Sequence, residues 1–447
     1  MKNNLKDKTM LVRDHILSLL ENGTIKSGER IPPARELALR LKLSLLKVQQ
    51  GLDSLSRDGL LESEPRIGTY VQNSWNERIL QENFVTFRTP EFLPWLDDFS
   101  KIFEEELPRL RISHGFKRGV FELRTTLDVQ QHHDEYIDLR QILEETYPDY
   151  RDVFFTKPFE SFWYDGRLPG IPFIFSPRVV FCNTEVFKKA GISLPRLGWT
   201  FEEFLDTISA LKGIVPPERI INWLPQAHMW MNFVMRSGGC LIEKSEDGDI
   251  CRIDSQETIR GIKAYAEIAE RRGSREITQR KDFTRDFCSG NAAMFIGDRQ
   301  ILMDLQGFDD WIAVPLPVFK GGFDVSMQAT DLICIRRECS STQMARDFVK
   351  VMLSERVQDF IAGRKYGIPI RISSAHKSID FEDSRDTLFL SEIPKMQGFY
   401  RLDSPELAEI IEGCIGNLLL SGSPVDPGLK ELAMTVRIIN KSLKIAV

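Results

Sequence analysis

Side chains of the types that contact nucleic acid are concentrated near the start of this sequence. Basic and amide residues within positions 26–50 are Lys26, Arg30, Arg35, Arg40, Lys42, Lys47, Gln49 and Gln50. Lysine and arginine neutralise backbone phosphates, which gives affinity and register, and glutamine suits the major-groove edge of adenine. The composition of this stretch therefore predicts contact with double-stranded DNA.

The net charge changes sign along the chain. Residues 1–75 carry 12 Lys and Arg against 9 Asp and Glu, a net charge of +3. The remaining residues carry 47 basic against 56 acidic side chains, a net charge of −9. A mildly basic head on an acidic body fits one module that touches phosphate and another that does not.

Motifs for other chemistry are weak or missing in the sequence. Adjacent His132 and His133 beside Asp134 are metal-binding residue types, but neighbouring side chains point apart and no further histidine completes a ligand set. The seven cysteines are scattered without a CxxC pair, which argues against a disulfide framework or a zinc site. No GxSxG, HExxH or P-loop motif is present, so we expect no enzyme activity, no metal and no cofactor.

Three helices are predicted around the basic stretch. Apolar spacing indicates a first helix over 7–22, a second that opens at Pro33, and a third that Ser44 caps. The buried face of the third helix is formed by Val48, Leu52 and Leu55.

A hairpin is predicted directly after the third helix. Gly59 ends that helix, and Leu60-Leu61 and Tyr70-Val71 have the character of two strands joined by a turn around Arg66-Ile67-Gly68. Helix, turn, helix and hairpin in this order indicate a small α+β winged helix-turn-helix. The second helix of the helix-turn-helix pair, which is the helix that Ser44 caps, would lie in the major groove. The hairpin is the wing and would lie beside the backbone or minor groove.

The same residues carry a resemblance to a known family. The series runs Gly28-x-x-Ile31-Pro32-Pro33-x-Arg35-Glu36-Leu37-Ala38, Ser44, Leu55-x-x-x-Gly59-Leu60-Leu61 and Gly68-Thr69-Tyr70-Val71. It resembles the DNA-binding domain of GntR-type transcription regulators. The resemblance and the helix-turn-helix geometry together imply DNA contacts from Arg35, Ser44, Lys47, Gln49, Gln50, Arg66, Gly68 and Thr69.

One position departs from the family pattern. GntR-type domains usually have arginine directly after the Ser/Thr cap, and this sequence has Leu45 there. The departure implies that one contact is missing and that the operator differs from those of better-known relatives. A winged helix used only for protein contacts is the alternative interpretation of this module.

The length and composition predict several domains in a soluble, cytoplasmic protein. A chain of 447 residues exceeds one ordinary core. Its N-terminus, MKNNLKDK, lacks the apolar run of a signal peptide, and no stretch approaches the ~18 apolar residues of a membrane span. We expect a DNA-binding domain over 1–75, a polar linker over 72–83 and a large body over 84–447.

The large body resembles bacterial extracellular solute-binding proteins of the maltose-binding type. The resemblance rests on 165–211, on Arg285-Asp286-Phe287-x-x-Gly290-Asn291-Ala292-Ala293-Met294-Phe295-Ile296-Gly297-Asp298, on Ile312–Pro317 with Gly321-Gly322, and on Ala345–Val349 with Gly367–Arg371. It implies a two-lobed α/β fold of the periplasmic-binding-protein type (type II) that closes on a ligand at a hinge. Residues 84–160 look shortened or diverged from the usual first lobe.

Residues of the ligand cleft are implied by this resemblance. Sugar-binding members stack aromatic rings on the ligand and hold its hydroxyls with charged or amide side chains. The matching candidates here are Glu91, Asp128, His133, Trp230, Asp298, Arg299, Arg371, Phe399 and Tyr400. Trp230 and Phe399 fit an ordinary core nearly as well, Asp298 and Arg299 would also fit a mutual ion pair on a loop, and Trp199 fits the core better than the cleft.

A solute-binding fold behind a DNA-binding domain is expected to sense rather than to transport. The leading hypothesis is a ligand-responsive transcription regulator, dimeric on paired half-sites, with a carbohydrate effector and no membrane association. One alternative is a body that has lost its ligand and serves dimerisation or protein docking. Another is the aminotransferase-like body of some GntR-type regulators, but no stretch resembles its cofactor-binding lysine region.

Overall fold

The computed structural model describes residues 8–21, 23–57, 59–64, 67–73, 75, 85–89, 95–107, 110–114, 120–245, 249–339, 341–398 and 404–445. Arg66, Glu91, Phe399 and Tyr400, which the sequence analysis assigned to binding sites, lie outside these residues. Among the helices of the described residues, none combines the length and the apolar character that a membrane crossing requires.

The N-terminal region forms a helix-turn-helix with a hairpin. Its elements are α1 (Lys8–Glu21), α2 (Ala34–Leu41), α3 (Leu45–Arg57), β1 (Leu61–Glu64) and β2 (Gly68–Val71). Pro33 precedes α2 with φ −57°, and Lys42 ends α2 in the left-handed region with φ 53°, which turns the chain toward α3. The backbone N–H of Lys47 donates to Ser44 Oγ at 3.4 Å, so Ser44 caps α3 as predicted.

A small core holds these elements together. Val48, Leu52 and Leu55 of α3 are buried, as the sequence predicted, and they pack with buried residues of α1 such as Ile16 and Leu20. β1 and β2 pair antiparallel from Leu61 opposite Val71 to Glu64 opposite Gly68. The predicted winged helix-turn-helix is therefore confirmed.

The large body begins with a six-stranded sheet, which forms the first lobe. Its strands in spatial order are β14 (Ile368–Pro369), β6 (Gly170–Ser176), β13 (Ala329–Ile335), β5 (Phe121–Thr125), β3 (Val85–Thr89) and β4 (Leu110–His114). β3 runs parallel to β4 and β5, whereas β13 is antiparallel to β5 and β6. The helices of the first lobe are α4 (Leu96–Glu106), α5 (Thr126–His132), α6 (Arg140–Thr146), α7 (Tyr150–Val153), α14 (Thr342–Met352), α15 (Glu355–Arg364) and α16 (Ile372–Ser378).

A three-stranded antiparallel sheet forms the centre of the second lobe. Its strands in spatial order are β10 (Met294–Gly297), β7 (Val179–Asn183) and β11 (Trp311–Pro315). The helices of this part are α8 (Thr184–Ala190), α9 (Phe201–Ala210), α10 (Pro217–Ile220), α11 (Ala227–Arg236), α12 (Gln256–Arg272), α13 (Arg280–Cys288), α17 (Ser384–Glu392), α18 (Pro405–Ser421) and α19 (Val425–Ile445). Of these, α17 contacts β11. Short pairs are formed by β8 (Ile242–Glu243) with β9 (Ile250–Cys251) and by β12 (Ser326–Met327) with β15 (Met396–Gln397).

The three-stranded sheet is covered by apolar side chains on both faces. One core, on the second-lobe side, includes Trp199, Trp223 and Trp230, each at most 2% exposed. The indole N–H of Trp199 donates to the Pro315 carbonyl at 2.8 Å, so Trp199 lies in the core, as expected from the sequence. Phe181 of the same sheet belongs to the other core, which also contains the six-stranded sheet.

Two crossings position the functional cleft. The chain passes from β6 of the six-stranded sheet to β7 of the three-stranded sheet at residues 177–178, and it returns from β11 to β13 through residues 316–328, which include β12. The hydroxyl of Ser326 donates to the Arg178 carbonyl at 3.0 Å, and the Arg178 N–H donates back to Ser326 Oγ at 2.8 Å. This exchange fixes the two crossings against each other.

Candidate DNA-reading helix and effector cleft

The exposed face of α3 carries the side chains that a recognition helix uses. Ser44, Gln49 and Gln50 are exposed and Lys47 is half-buried, all within the first turns of α3. The Gln49 amide donates to Asp53 Oδ1 at 2.9 Å, which orders that part of the surface. The structure therefore brings these predicted DNA-binding residues together on one surface.

The remaining predicted DNA contacts lie on neighbouring elements. Arg35 is exposed on the first turn of α2. Gly68 and Thr69 form the start of β2, where Gly68 pairs with Glu64, and the Thr69 hydroxyl lies 3.1 Å from that of Ser63. They occupy the wing, next to Arg66, which is outside the described residues.

One feature of this surface was not predicted from the sequence. Leu45 and Leu46 at the start of α3 are 47% and 67% exposed. The family pattern marks Leu45 only as the loss of an arginine and gives the adjacent Leu46 no role. The signal was present in the helical spacing, because Leu46 lies opposite the buried positions Val48, Leu52 and Leu55.

The second candidate site is a cleft between the lobes. Its centre is lined by Arg178 from the crossing between β6 and β7, by Asp298 directly after β10 and by His228 from α11. From these residues one cavity of about 350 Å³ extends toward Thr126 and Asp331 of the first lobe. A second cavity of about 180 Å³, lined by the same three residues, extends along the second lobe. We call the two cavities together the cleft.

Arg178 is the most unusual residue of the cleft. It is 9% exposed, and one guanidinium nitrogen lies 3.6 Å from Asp298 Oδ2, which is an ion pair but too long for a hydrogen bond. Its Nε is buried without a hydrogen-bond partner among the described residues. Burial lowers the pKa of Arg178, and Asp298 opposes that effect. A buried guanidinium with free N–H groups favours a ligand that offers oxygen acceptors.

Other arginines in the body show what a satisfied buried guanidinium looks like. Arg236 donates to the carbonyls of Pro317 and Leu316, both at 2.8 Å, and to Asp324 at 2.9 Å. Arg272 donates to the Ile221 carbonyl at 2.7 Å and to further carbonyl oxygens. These groups are saturated by the protein, whereas Arg178 is not.

Acceptors and neutral groups line the rest of the cleft. Burial, with the charges of Asp298 and Asp128, raises the pKa of Asp331 to about 7. Gln300 donates to Asp331 Oδ2 at 3.4 Å. Burial and the nearby Arg178 lower the pKa of His228 to about 3, so its imidazole is neutral and offers one donor and one acceptor.

Only part of the predicted ligand set reaches the cleft. Asp298 lines it. Asp128 lies at its edge in the first turn of α5, where its carboxylate accepts from the N–H of Thr125 at 3.3 Å and caps the helix.

The other described members of the set lie elsewhere. Trp230 is fully buried in the second-lobe core, so its ring is covered by protein. Arg299 is fully buried and donates to Asp386 at 2.9 Å and to the carbonyls of Gly367 and Ser378. It pairs with Asp386 and not with Asp298.

His133 and Arg371 are also held by protein contacts away from the cavity lining. The imidazole of His133 stacks on Tyr164 with ring centroids 4.2 Å apart. The guanidinium of Arg371 lies over the rings of Tyr147 and Phe154 and donates to the Leu353 carbonyl at 3.1 Å. These contacts give both residues a packing role in the first lobe.

Signals for Arg178 and Asp331 existed in the sequence. Arg178 is the charged residue between the apolar strands GIPFIFS and VVFCN, and Asp331 interrupts the apolar strand ATDLICI. A charge inside an apolar strand pattern costs free energy unless it is paired or functional. The described residues contain no group of His, Cys, Asp and Glu side chains suited to a metal ion.

Comparisons with known proteins agree with both parts of the architecture. Residues 9–71 match the family described as bacterial regulatory proteins, gntR family, and residues 137–359 match that of bacterial extracellular solute-binding proteins. The chain thus joins a winged helix-turn-helix domain of the gntR family to a two-lobed domain of the solute-binding family.

Solved structures support the same fold. A substrate-binding protein from Listeria monocytogenes, in complex with cycloalternan, is 15% identical with a TM-score of 0.68, over 80% of this chain and 98% of that one. The maltose-bound MalE3 of T. maritima is 14% identical with a TM-score of 0.67, over 79% and 99%. UgpB from Mycobacterium tuberculosis, in complex with glycerophosphocholine, is 15% identical with a TM-score of 0.66, over 80% and 98%.

Proposed function

We propose that this protein is a cytoplasmic, dimeric transcription regulator that binds a DNA operator and senses a carbohydrate. In this proposal residues 1–75 read DNA, residues 72–83 link the modules, and residues 84–447 bind the effector. The gntR-family domain supports the DNA-binding role, and the cycloalternan and maltose bound by two of the solved neighbours support the effector class. The proposed role includes no enzyme activity and no cofactor.

The unsatisfied guanidinium of Arg178 is the observation that carries the sensing role. At the cleft, Arg178 offers hydrogen-bond donors, Asp298 and Asp331 offer carboxyl oxygens, and neutral His228 offers one donor and one acceptor. Adjacent hydroxyls of a sugar are both donors and acceptors, so one polyhydroxylated ligand could satisfy these groups together. A docking surface for a protein would instead be expected to expose apolar side chains.

The crossings provide a physical route from ligand to DNA. A ligand that contacts both lobes at Arg178 and Asp331 favours the closed arrangement, because only that arrangement makes both sets of contacts. Closure would change the relative placement of two DNA-binding domains in a dimer or the dimer interface itself. A differential binding free energy of about 1.4 kcal/mol changes operator affinity about tenfold.

The experiment starts with a thermal-shift screen of the full-length protein against mono- and oligosaccharides. A ligand at about 100 times its dissociation constant adds about 2.7 kcal/mol of stability, which raises the unfolding midpoint visibly. The hit is then titrated against wild type, Arg178→Met and Trp230→Phe. We expect Arg178→Met to weaken binding about 10- to 100-fold, because hydrogen bonds from a charged donor are lost. Trp230→Phe, in the core away from the cleft, is the matched control and should bind normally.

Operator binding provides the second readout. A DNA sequence is selected from a random duplex pool by the full-length protein, and its affinity is measured by fluorescence anisotropy with and without the hit. We expect a change of about tenfold that Arg178→Met abolishes. If no sugar in the panel raised the unfolding midpoint, the sensing role would be contradicted. It would also be contradicted if a bound sugar changed neither operator affinity nor dimerisation. Either result would favour the docking alternative.

A further inference from the structure

The start of α3 presents two adjacent leucines where a helix-turn-helix places base-reading side chains. Leu45 is 47% and Leu46 67% exposed, although burying such a side chain is ordinarily favourable. Single exposed leucines are common on protein surfaces. This pair differs because it follows Ser44 directly, at the end of the helix that enters the major groove.

Helical geometry places Leu46 at the centre of the exposed face of α3. Gln49 and Gln50 follow it by three and four positions, so these side chains lie on one face. Val48 and Leu52 are buried on the opposite face and fix the rotation of α3 on its core. The groove-facing surface therefore combines one large apolar side chain with two amides.

The major groove offers one apolar group to such a surface, the 5-methyl of thymine. Leucine has no hydrogen-bonding side chain for the other base edges, and glutamine pairs with N6 and N7 of adenine. Leu46 therefore favours thymine and the two glutamines favour adenine. Both side-chain types thus favour an A·T pair, each through the base of a different strand. We propose that Leu46, with Leu45 beside it, contacts thymine 5-methyl groups, so that A·T pairs lie under the first turn of α3 in each half-site.

DNA fits this surface better than a second copy of the chain. Half-buried Lys47 and exposed Ser44 and Gln50 surround the leucines with polar groups that apolar association would have to desolvate. The net charge of +3 for residues 1–75 also favours a polyanion. The inference rests on the proposed operator binding and adds which base is read and through which atoms.

The test replaces thymine by deoxyuridine, which removes the methyl group and leaves base pairing unchanged. Duplexes selected from a random pool by the full-length protein are resynthesised with one deoxyuridine at a time. We expect at least one replacement in each half-site to weaken wild-type binding about fourfold, the equivalent of one buried methyl. For Leu46→Ala the same replacement should change affinity less than about 1.5-fold, because the contact is already gone.

Leu197→Ala is the matched control. Leu197 is 71% exposed in the second lobe, so the same substitution is made at an equally exposed leucine far from the DNA-reading helix in sequence. This variant should keep the full sensitivity to deoxyuridine. Thermal unfolding of Leu46→Ala should match wild type, because Leu46 contributes little to the core.

The outcomes separate this inference from operator binding itself. The thymine contact is overturned if no deoxyuridine replacement changes the affinity for the selected sequence. It is also overturned if Leu46→Ala is as sensitive to the replacement as wild type. Neither result contradicts operator binding itself. A pool in which no sequence is enriched contradicts sequence-specific DNA binding and this inference with it. Loss of self-association in Leu46→Ala without a methyl effect assigns the leucines to a second copy of the chain.

Discussion

The DNA-reading helix and the effector cleft differ in how the chain assembles them. Residues 44–50 form one continuous run on α3, and their orientation follows from the helix period and one small core. The cleft takes Arg178, His228, Asp298 and Asp331 from separate elements. A local site is fixed by local sequence, whereas a site made at chain crossings is fixed by the fold of both lobes.

The two regions also differ in the environment of their charges. Arg35 is exposed on α2, where water solvates its guanidinium. Arg178 and Asp331 are buried, and burial shifts the pKa of each toward the neutral form. Substitutions at the reading surface should therefore change DNA affinity alone. Substitutions in the cleft should also change the free energy of unfolding, because they remove buried charges.

The largest effect is expected for Arg299→Met, next to the cleft but outside it. This change leaves Asp386 buried without its closest cation and the carbonyls of Gly367 and Ser378 without donors. We expect a loss of about 3 kcal/mol in unfolding free energy. Arg178→Met should cost clearly less, because the guanidinium has no hydrogen bond to lose among the described residues and its ion pair with Asp298 is long, at 3.6 Å.

Urea unfolding followed by tryptophan fluorescence measures both values, since most of the seven tryptophans lie in the large body. Lys365, 4.0 Å from Asp386, reduces the expected loss because it compensates part of the Asp386 charge. Equal losses in the two variants would show that Arg178 is as much a structural residue as Arg299. The distinction between structural and ligand-facing arginines would then fail.

These arginines show how far the sequence predicts the site. The winged helix-turn-helix and the two-lobed class followed from periodicity, capping residues and family resemblance. The sequence did not reveal that Arg299 turns toward Asp386, 87 positions away, while Arg178 faces the cleft. Partners that far apart in the chain are chosen by the packing of the lobes, which no local pattern encodes.

A smaller effect is expected for the pH dependence of stability at Asp331. Its folded pKa of about 7 lies above its unfolded value of about 4, so the folded state binds the extra proton between these values. Stability should therefore fall as the pH rises from about 4 to about 7 and level off above. Asp331→Asn should remove this contribution and be more stable than wild type at about pH 8.

Unfolding free energies at about pH 5 and about pH 8 provide the comparison. Asp298 and Asp128 face the same carboxyl, and Gln300 donates to it, so Asp128→Asn is the control for a general change in local charge. Asp128→Asn should weaken the pH dependence without abolishing it. If Asp331→Asn kept the wild-type pH profile of stability, the Asp331 carboxyl would be as well solvated as the exposed charged side chains of the DNA-binding domain.

The smallest effect is expected on the DNA side, for Arg35→Ala. Arg35 is exposed, so its removal should leave stability within about 0.5 kcal/mol of wild type. Loss of one phosphate contact should lower operator affinity about tenfold and reduce the salt dependence of binding by about one unit of slope. Leu46→Ala should instead leave that slope unchanged, because it removes an apolar contact. If both variants changed the slope equally, the division of the reading surface into a phosphate-contacting arginine and a base-contacting leucine would be wrong.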